Sequence, residues 1–146
     1  MDTKRIARRL KKKCRTSDPF EIAQAFGIIV LFEPLGDIRG YYNCCYRTRF
    51  IHISSFLSEA ERRFVCAHEL AHALLHPKIH TNFLLTHTNV ELSKLENEAN
   101  RFAVDLLFDD SDLIAYLSVP IETAAAALEI SIPLATYRLG SVKDVE

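Results

Sequence analysis

One stretch of the sequence, residues 58–76, constrains the fold more than any other. Ser58 and Glu61 have the spacing of a capping box and Pro77 follows the stretch, so we predict a helix over residues 59–76. The C-terminal half of this helix is apolar on nearly every face, which is typical of a helix buried between layers of structure. Ionisable side chains in such a helix are costly unless they are paired or bind a ligand.

The ionisable residues of this helix form the pattern His68-Glu69-Leu70-Ala71-His72. Residues four apart share a helix face, about 6 Å apart along the axis, so His68 and His72 can direct imidazole nitrogens at one ion. Glu69 points to the flank, where its carboxylate can reach a water molecule held by that ion. The pattern therefore predicts a zinc site with Glu69 as catalytic base. The alternative, two histidines that only bond within the core, does not explain a buried Glu69.

A catalytic zinc site needs a third protein ligand, and a second predicted helix, residues 93–108, offers two candidates. Glu96 and Glu98 lie near its start at phases that differ by about 200°, so only one should face the ion. Ser93 and Glu96 have the spacing of another capping box, which favours Glu98 as the ligand. His76 is predicted to be a helix-end histidine that interacts with terminal carbonyls.

The region before these helices, residues 28–54, predicts a small sheet. A buried strand is expected over residues 28–32, and two β-prone runs, residues 41–46 and 50–54, predict a hairpin. Helical stretches in the tail, residues 111–140, complete the pattern. Strands followed by helices indicate an α+β fold, with an antiparallel or mixed sheet packed on the central helix in a single domain of 146 residues.

Charge is unevenly distributed along the chain. Residues 1–15 carry eight basic side chains and one acid, which is +7 and leaves −8 for the rest. Ile6, Leu10 and Cys14 recur every four residues, so we predict an amphipathic helix with a solvated cationic face, and favour this over a nucleic-acid contact. The sequence shows no signal peptide, no apolar stretch of membrane-spanning length and no paired cysteine spacing, so we expect a cytoplasmic protein.

Several stretches together carry a resemblance that covers most of the chain: Asp18-Pro19-Phe20-Glu21-Ile22-Ala23, Gly40-Tyr41-Tyr42, residues 61–76 and residues 96–107. With these stretches the sequence resembles the ImmA/IrrE family of metallopeptidases. The resemblance implies His68 and His72 as metal ligands and Glu69 as catalytic acid and base. It also implies a glutamate of the second helix, Glu98 in preference to Glu96, as third ligand.

The resemblance further implies a substrate, a helix-turn-helix repressor of the phage type whose cleavage relieves repression. Candidate donors to the transition state are Tyr41, Tyr42, His80, His87 and Arg101. The alternative from another class is a non-catalytic, zinc-containing regulator that binds the repressor or DNA. The tail resembles a helix-turn-helix end, but residues 109–139 carry five acids and one base, which favours packing over DNA binding.

Overall fold

The computed structural model describes residues 1–77 and 89–143. Over these residues the α+β prediction is confirmed, because a three-stranded mixed sheet packs against helices. In chain order the elements are α1 (Thr3–Cys14), α2 (Pro19–Ala25), β1 (Ile29–Glu33), β2 (Gly40–Cys45), β3 (Thr48–Ser54), α3 (Glu59–Leu75), α4 (Asn89–Leu107), α5 (Asp110–Leu113), a 3-10 turn (Ile114–Ser118), α6 (Ile121–Leu128) and α7 (Ile132–Gly140). None of the helices described is long and apolar enough to cross a membrane.

The sheet has the strand order β1-β3-β2, with β3 parallel to β1 and antiparallel to β2. The predicted hairpin is therefore confirmed. Its two turn residues, Tyr46 and Arg47, both adopt left-handed backbone conformations, with φ of 51° and 67°. Two left-handed residues give the type of turn that matches the twist of paired strands. One face of β3 buries Ile51 and Ile53 completely, and α3 packs against this face.

Helix α3 begins at the predicted place for the predicted reason. The Ser58 hydroxyl accepts a hydrogen bond from the backbone N–H of Glu61, and the Glu61 carboxylate accepts one from the backbone N–H of Ser58. Beyond its first two turns the helix is buried, with Leu70 and Ala71 fully inaccessible. Helix α3 thus lies in the core between the sheet and α4. Helix α4 contributes Phe102 and Leu106 to the same core.

Gly40 allows strand β2 to lie directly against α3. A Cβ atom at this position would lie 2.5 Å from Cγ1 of Val65 on α3 and 2.7 Å from the carbonyl oxygen of His52. Both distances are shorter than real carbon contacts, so any side chain at residue 40 would force the strand and helix apart.

Helix α4 begins earlier than predicted. It starts at Asn89, so Ser93 lies inside the helix and the predicted capping box of Ser93 with Glu96 is wrong. The amide groups of an interior turn already bond to the carbonyls four residues before, which leaves Glu96 free for another role. The tail is helical as predicted, although residues 114–118 form a 3-10 turn between α5 and α6.

An anchor cluster, formed by Thr3, Asp105, Tyr137 and Arg138, ties both ends of the described chain to α4. The Thr3 and Tyr137 hydroxyls each donate a hydrogen bond of 2.7 Å to Oδ2 of Asp105. The Arg138 side chain lies alongside, with Nε 3.7 Å from Oδ1 of Asp105. Both charged residues are only 1% exposed. The two hydrogen bonds to Asp105 connect α1 and α7 to the C-terminal half of α4, while Oδ1 of Asp105 and Nε of Arg138 have no hydrogen-bond partner among the described residues.

Candidate metal centre

The two histidines of the pentapeptide lie side by side on α3, and their rings meet edge to face with centroids 4.9 Å apart. Their Nε2 atoms point at one carboxylate on α4. Nε2 of His68 is 3.0 Å from Oε2 of Glu96, and Nε2 of His72 is 2.7 Å from Oε1 of the same residue. Two helices thus bring two imidazoles and one carboxylate to a common point.

Glu98, the glutamate favoured by the sequence, does not lie at this point. Its Oε2 atom is 2.9 Å from Nε2 of His76, beyond the end of α3. The preference for Glu98 rested on the capping box that would have occupied Glu96, and the early start of α4 removes that box. In the structure Glu96 faces the histidine pair and Glu98 faces His76, so the geometry favours Glu96 as the third ligand, whereas the sequence favoured Glu98.

Glu69 lies next to the histidine pair in a mostly apolar environment. It is 7% exposed, and its Oε2 atom is buried without a hydrogen-bond partner among the described residues. A carboxylate oxygen of Glu69 and one ring nitrogen each of His68 and His72 all lie within 4.8 Å of one another. Burial raises the pKa of Glu69, and the nearby His68 and His72 only partly oppose this shift.

The pKa of Glu96 shifts in the opposite direction to that of Glu69. Hydrogen bonds from His68 and His72 lower the pKa of Glu96 far below its usual value. Burial alone would lower the pKa of His68, but the hydrogen bond to Glu96 and the charge of Glu69 outweigh burial and raise it. We call His68, Glu69, His72 and Glu96 the site cluster.

A cleft of about 330 Å³ leads to the site cluster and is lined in addition by Arg39, Gly40, Phe64 and Asn100. Asn100 was missed by the sequence analysis, although it lies one helical turn after Glu96 and so shares its face. Its Oδ1 atom is 2.7 Å from Nδ1 of His68. The i, i+4 spacing of Glu96 and Asn100, opposite the same spacing of His68 and His72, was the signal that could have revealed it.

Of the predicted transition-state donors, the three that the structure describes, Tyr41, Tyr42 and Arg101, do not line this cleft. Tyr41 stacks on His52, with ring centroids 4.2 Å apart, on the face of the sheet away from α3. Tyr42 packs against the hydrophobic core. Arg101 lies over the ring of Tyr137, 5.0 Å from its centroid, on the side of α4 that faces α7. Tyr41 and Arg101 therefore make packing contacts with His52 and Tyr137. His80 and His87 lie outside the described residues.

The fold and the site cluster define a class of protein. Residues 23–140 match the family model of the IrrE N-terminal-like domain, a peptidase family designated M78. The chain therefore belongs to the ImmA/IrrE family of metallopeptidases, as its sequence resemblance implied. Membership in a metallopeptidase family implies a metal cofactor.

The chain is also similar to individual proteins. It is 37% identical over 144 residues to "uncharacterized immunity region protein 2" of Bacillus phage phi105, covering 98% of this chain and 91% of that protein. It is 33% identical over 100 residues to "metallopeptidase ImmA" of Bacillus subtilis (strain 168), covering 67% of this chain and 58% of ImmA. A Mycobacterium tuberculosis transcriptional regulator of known structure shares the fold, with a TM-score of 0.66 at 16% identity. That match covers 98% of this chain and 47% of the regulator.

Proposed function

We propose that this chain is a zinc-dependent endopeptidase that cleaves a regulatory protein, a helix-turn-helix repressor, and so relieves repression. His68, His72 and Glu96 hold the ion, with Glu96 in the place that the sequence analysis gave to Glu98. The observation that carries the proposal is the site cluster itself, in which two imidazole Nε2 atoms and one carboxylate converge beside a buried carboxylate with an unpartnered oxygen. Two histidines and a glutamate form a ligand set of catalytic zinc.

A bound zinc ion supplies a Lewis acid that polarises the peptide carbonyl and makes a water molecule easier to deprotonate. Glu69 takes the proton from the attacking water and passes it to the nitrogen of the departing amine. Its burial raises its pKa, which suits a group that must both accept and release a proton.

The cleft can hold an extended peptide. Strand β2 begins at Gly40 in the cleft wall, and within the described residues its edge opposite β3 is unpaired. An extended segment can add to such an edge as a further strand. The cleft continues past Phe64 into a second space of about 340 Å³, where Ile130 and Leu134 provide apolar surface. We assign this second space to an apolar side chain of the substrate.

Two similarities support a regulatory substrate. One relative is named an immunity region protein of a phage, and another is named a metallopeptidase. A peptidase that serves phage immunity would act on the protein that maintains repression, which agrees with the substrate implied by the sequence resemblance.

The test is co-expression of this chain with a helix-turn-helix repressor encoded beside its gene, with Glu69→Gln as the matched control. We expect cleavage of the repressor by the wild type and a loss of at least about 100-fold in the cleavage rate for Glu69→Gln, since this change removes the general base. Mass spectrometry of the repressor fragments identifies the bond, and metal analysis of the purified chain measures bound zinc.

Two results would overturn the proposal. The first is an intact repressor with both variants together with no stoichiometric zinc in the wild type. The second is derepression by Glu69→Gln that equals the wild type without any cleavage, which would favour the non-catalytic regulator considered above.

A further inference from the structure

His72 makes an unusual contact at the ring nitrogen that faces away from Glu96. Its Nδ1 atom is 3.0 Å from Nδ1 of His76, and both rings are buried, with side chains 4% and 5% exposed. Two ring nitrogens can share a hydrogen bond only if one carries a proton and the other offers a lone pair. The position of this one proton decides whether Nε2 of His72 is free to bind a metal ion.

Glu98 determines which of the two nitrogens carries the proton. Its Oε2 atom is 2.9 Å from Nε2 of His76, and its side chain is 16% exposed. An ionised carboxylate only accepts hydrogen bonds, so Nε2 of His76 must be the donor in this contact. A neutral His76 with its proton on Nε2 has a lone pair on Nδ1, and that lone pair accepts the proton of His72 Nδ1. In the structure Nε2 of His72 lies 2.7 Å from Oε1 of Glu96, a contact in which Nε2 carries the proton. With Nδ1 of His72 fixed as the donor to His76, Nε2 is the nitrogen whose proton an ion would replace.

We propose that His76 and Glu98 are positioning residues that hold His72 in the tautomer and orientation that bind metal. This inference rests on the proposed zinc site but adds residues that do not touch the ion. The same task is done for His68 by one residue, since the Oδ1 atom of Asn100 accepts from Nδ1 of His68 at 2.7 Å. Helix α4 therefore supports both histidines from behind. Asn100 accepts a hydrogen bond from His68 directly, whereas Glu98 acts on His72 through His76.

Carboxylates behind metal-bound histidines typically change metal affinity by about 10–100-fold. We expect Glu98→Leu to weaken zinc binding by that factor, measured by competition with a chromogenic chelator. Glu98→Gln should restore most of the affinity, because its side-chain oxygen can still accept from His76. Asn97→Leu, a change at the exposed neighbouring position, is the matched control and should leave the affinity within about twofold of the wild type.

A second measurement uses the wild type and does not depend on the folding of any variant. Nitrogen-15 chemical shifts of the zinc-loaded protein report which ring nitrogen of each histidine carries a proton. The proposal requires a proton on Nδ1 of His72 and on Nε2 of His76. A proton on Nδ1 of His76, or equal zinc affinity in Glu98→Leu and the wild type, would overturn the positioning role while leaving the zinc site intact. Failure of the wild type to bind zinc would overturn both proposals.

Discussion

Helix α4 carries charged residues of both the anchor cluster and the site cluster, and the two clusters are built differently. In the anchor cluster, Asp105 is almost completely buried. Its Oδ2 atom accepts two hydrogen bonds, whereas its Oδ1 atom accepts none among the described residues and lies 3.7 Å from Nε of Arg138. In the site cluster, the Glu96 side chain is 51% exposed, and Glu69 has an oxygen with no partner among the described residues. Asp105 thus has a cation of the same chain beside its unbonded oxygen, and removing one partner of such a buried pair destabilises the fold. A charge left partly unsatisfied beside convergent nitrogens marks a place for a ligand.

The sharpest test of the anchor cluster is Arg138→Met. Removing the cation leaves Asp105 buried without its charged partner, so we expect the free energy of unfolding to fall by about 3–5 kcal/mol. Chemical denaturation of the metal-free protein measures this change. The double variant Arg138→Met with Asp105→Asn should recover part of the loss, because it removes the stranded charge. A loss below about 1 kcal/mol for the single variant would show that the pair contributes little to the fold.

Glu96→Gln is the corresponding test of the site cluster. It should reduce metal binding strongly and change the stability of the fold only slightly. We expect zinc affinity to fall by more than about 100-fold, since the loss of a ligand exceeds the usual effect of a supporting residue. The unfolding free energy of the metal-free protein should change by no more than about 1 kcal/mol, because Glu96 is half exposed. Glu98→Gln is the control. If it loses more zinc affinity than Glu96→Gln, the original choice of Glu98 as ligand was right.

The smallest expected effect concerns Asp110, at the margin of the anchor cluster. Burial would raise its pKa, but hydrogen bonds from Lys4 and Arg138 outweigh burial and lower the pKa to about 2. A lowered carboxyl pKa stabilises the fold above the unfolded pKa of about 3.9, and this contribution disappears as the pH falls toward 2. Asp110→Asn should therefore lower stability at pH 6 by about 1 kcal/mol or less and make it less sensitive to acid. Unfolding curves between pH 2 and pH 6 measure the difference, and parallel curves for both proteins would contradict it.

The features that the sequence predicted correctly depend on signals within a few residues. The start of α3 follows from the hydroxyl and carboxylate of its capping box, and the placement of His68 and His72 on one face follows from helical periodicity. The hairpin follows from two β-prone runs with a short connection, although its turn contains no glycine. Such local rules need no knowledge of the rest of the chain.

The features that the sequence did not predict depend on how two helices cross. The start and rotation of α4 against α3 determine whether Glu96 or Glu98 faces the histidine pair. The false capping signal at Ser93 favoured Glu98, whereas Glu96 faces the pair in the structure. The imidazole of His76 was expected near terminal carbonyls, but it bonds to His72 and Glu98. The identity of the ion and the catalytic role of Glu69 remain predictions that the experiments above address.

The absence of a side chain at Gly40 has a consequence for how such a peptidase can change its preference for substrates. The bare backbone of Gly40 faces the Val65 side chain of α3, and this close approach sets the spacing between the strand and the helix. Ile130 and Leu134 line the neighbouring space and take no part in this contact, so we expect exchanges at these two positions to leave the strand-helix spacing unchanged. Under the proposed function, such variants would alter the choice of substrate while the spacing beside Glu69 stays constant.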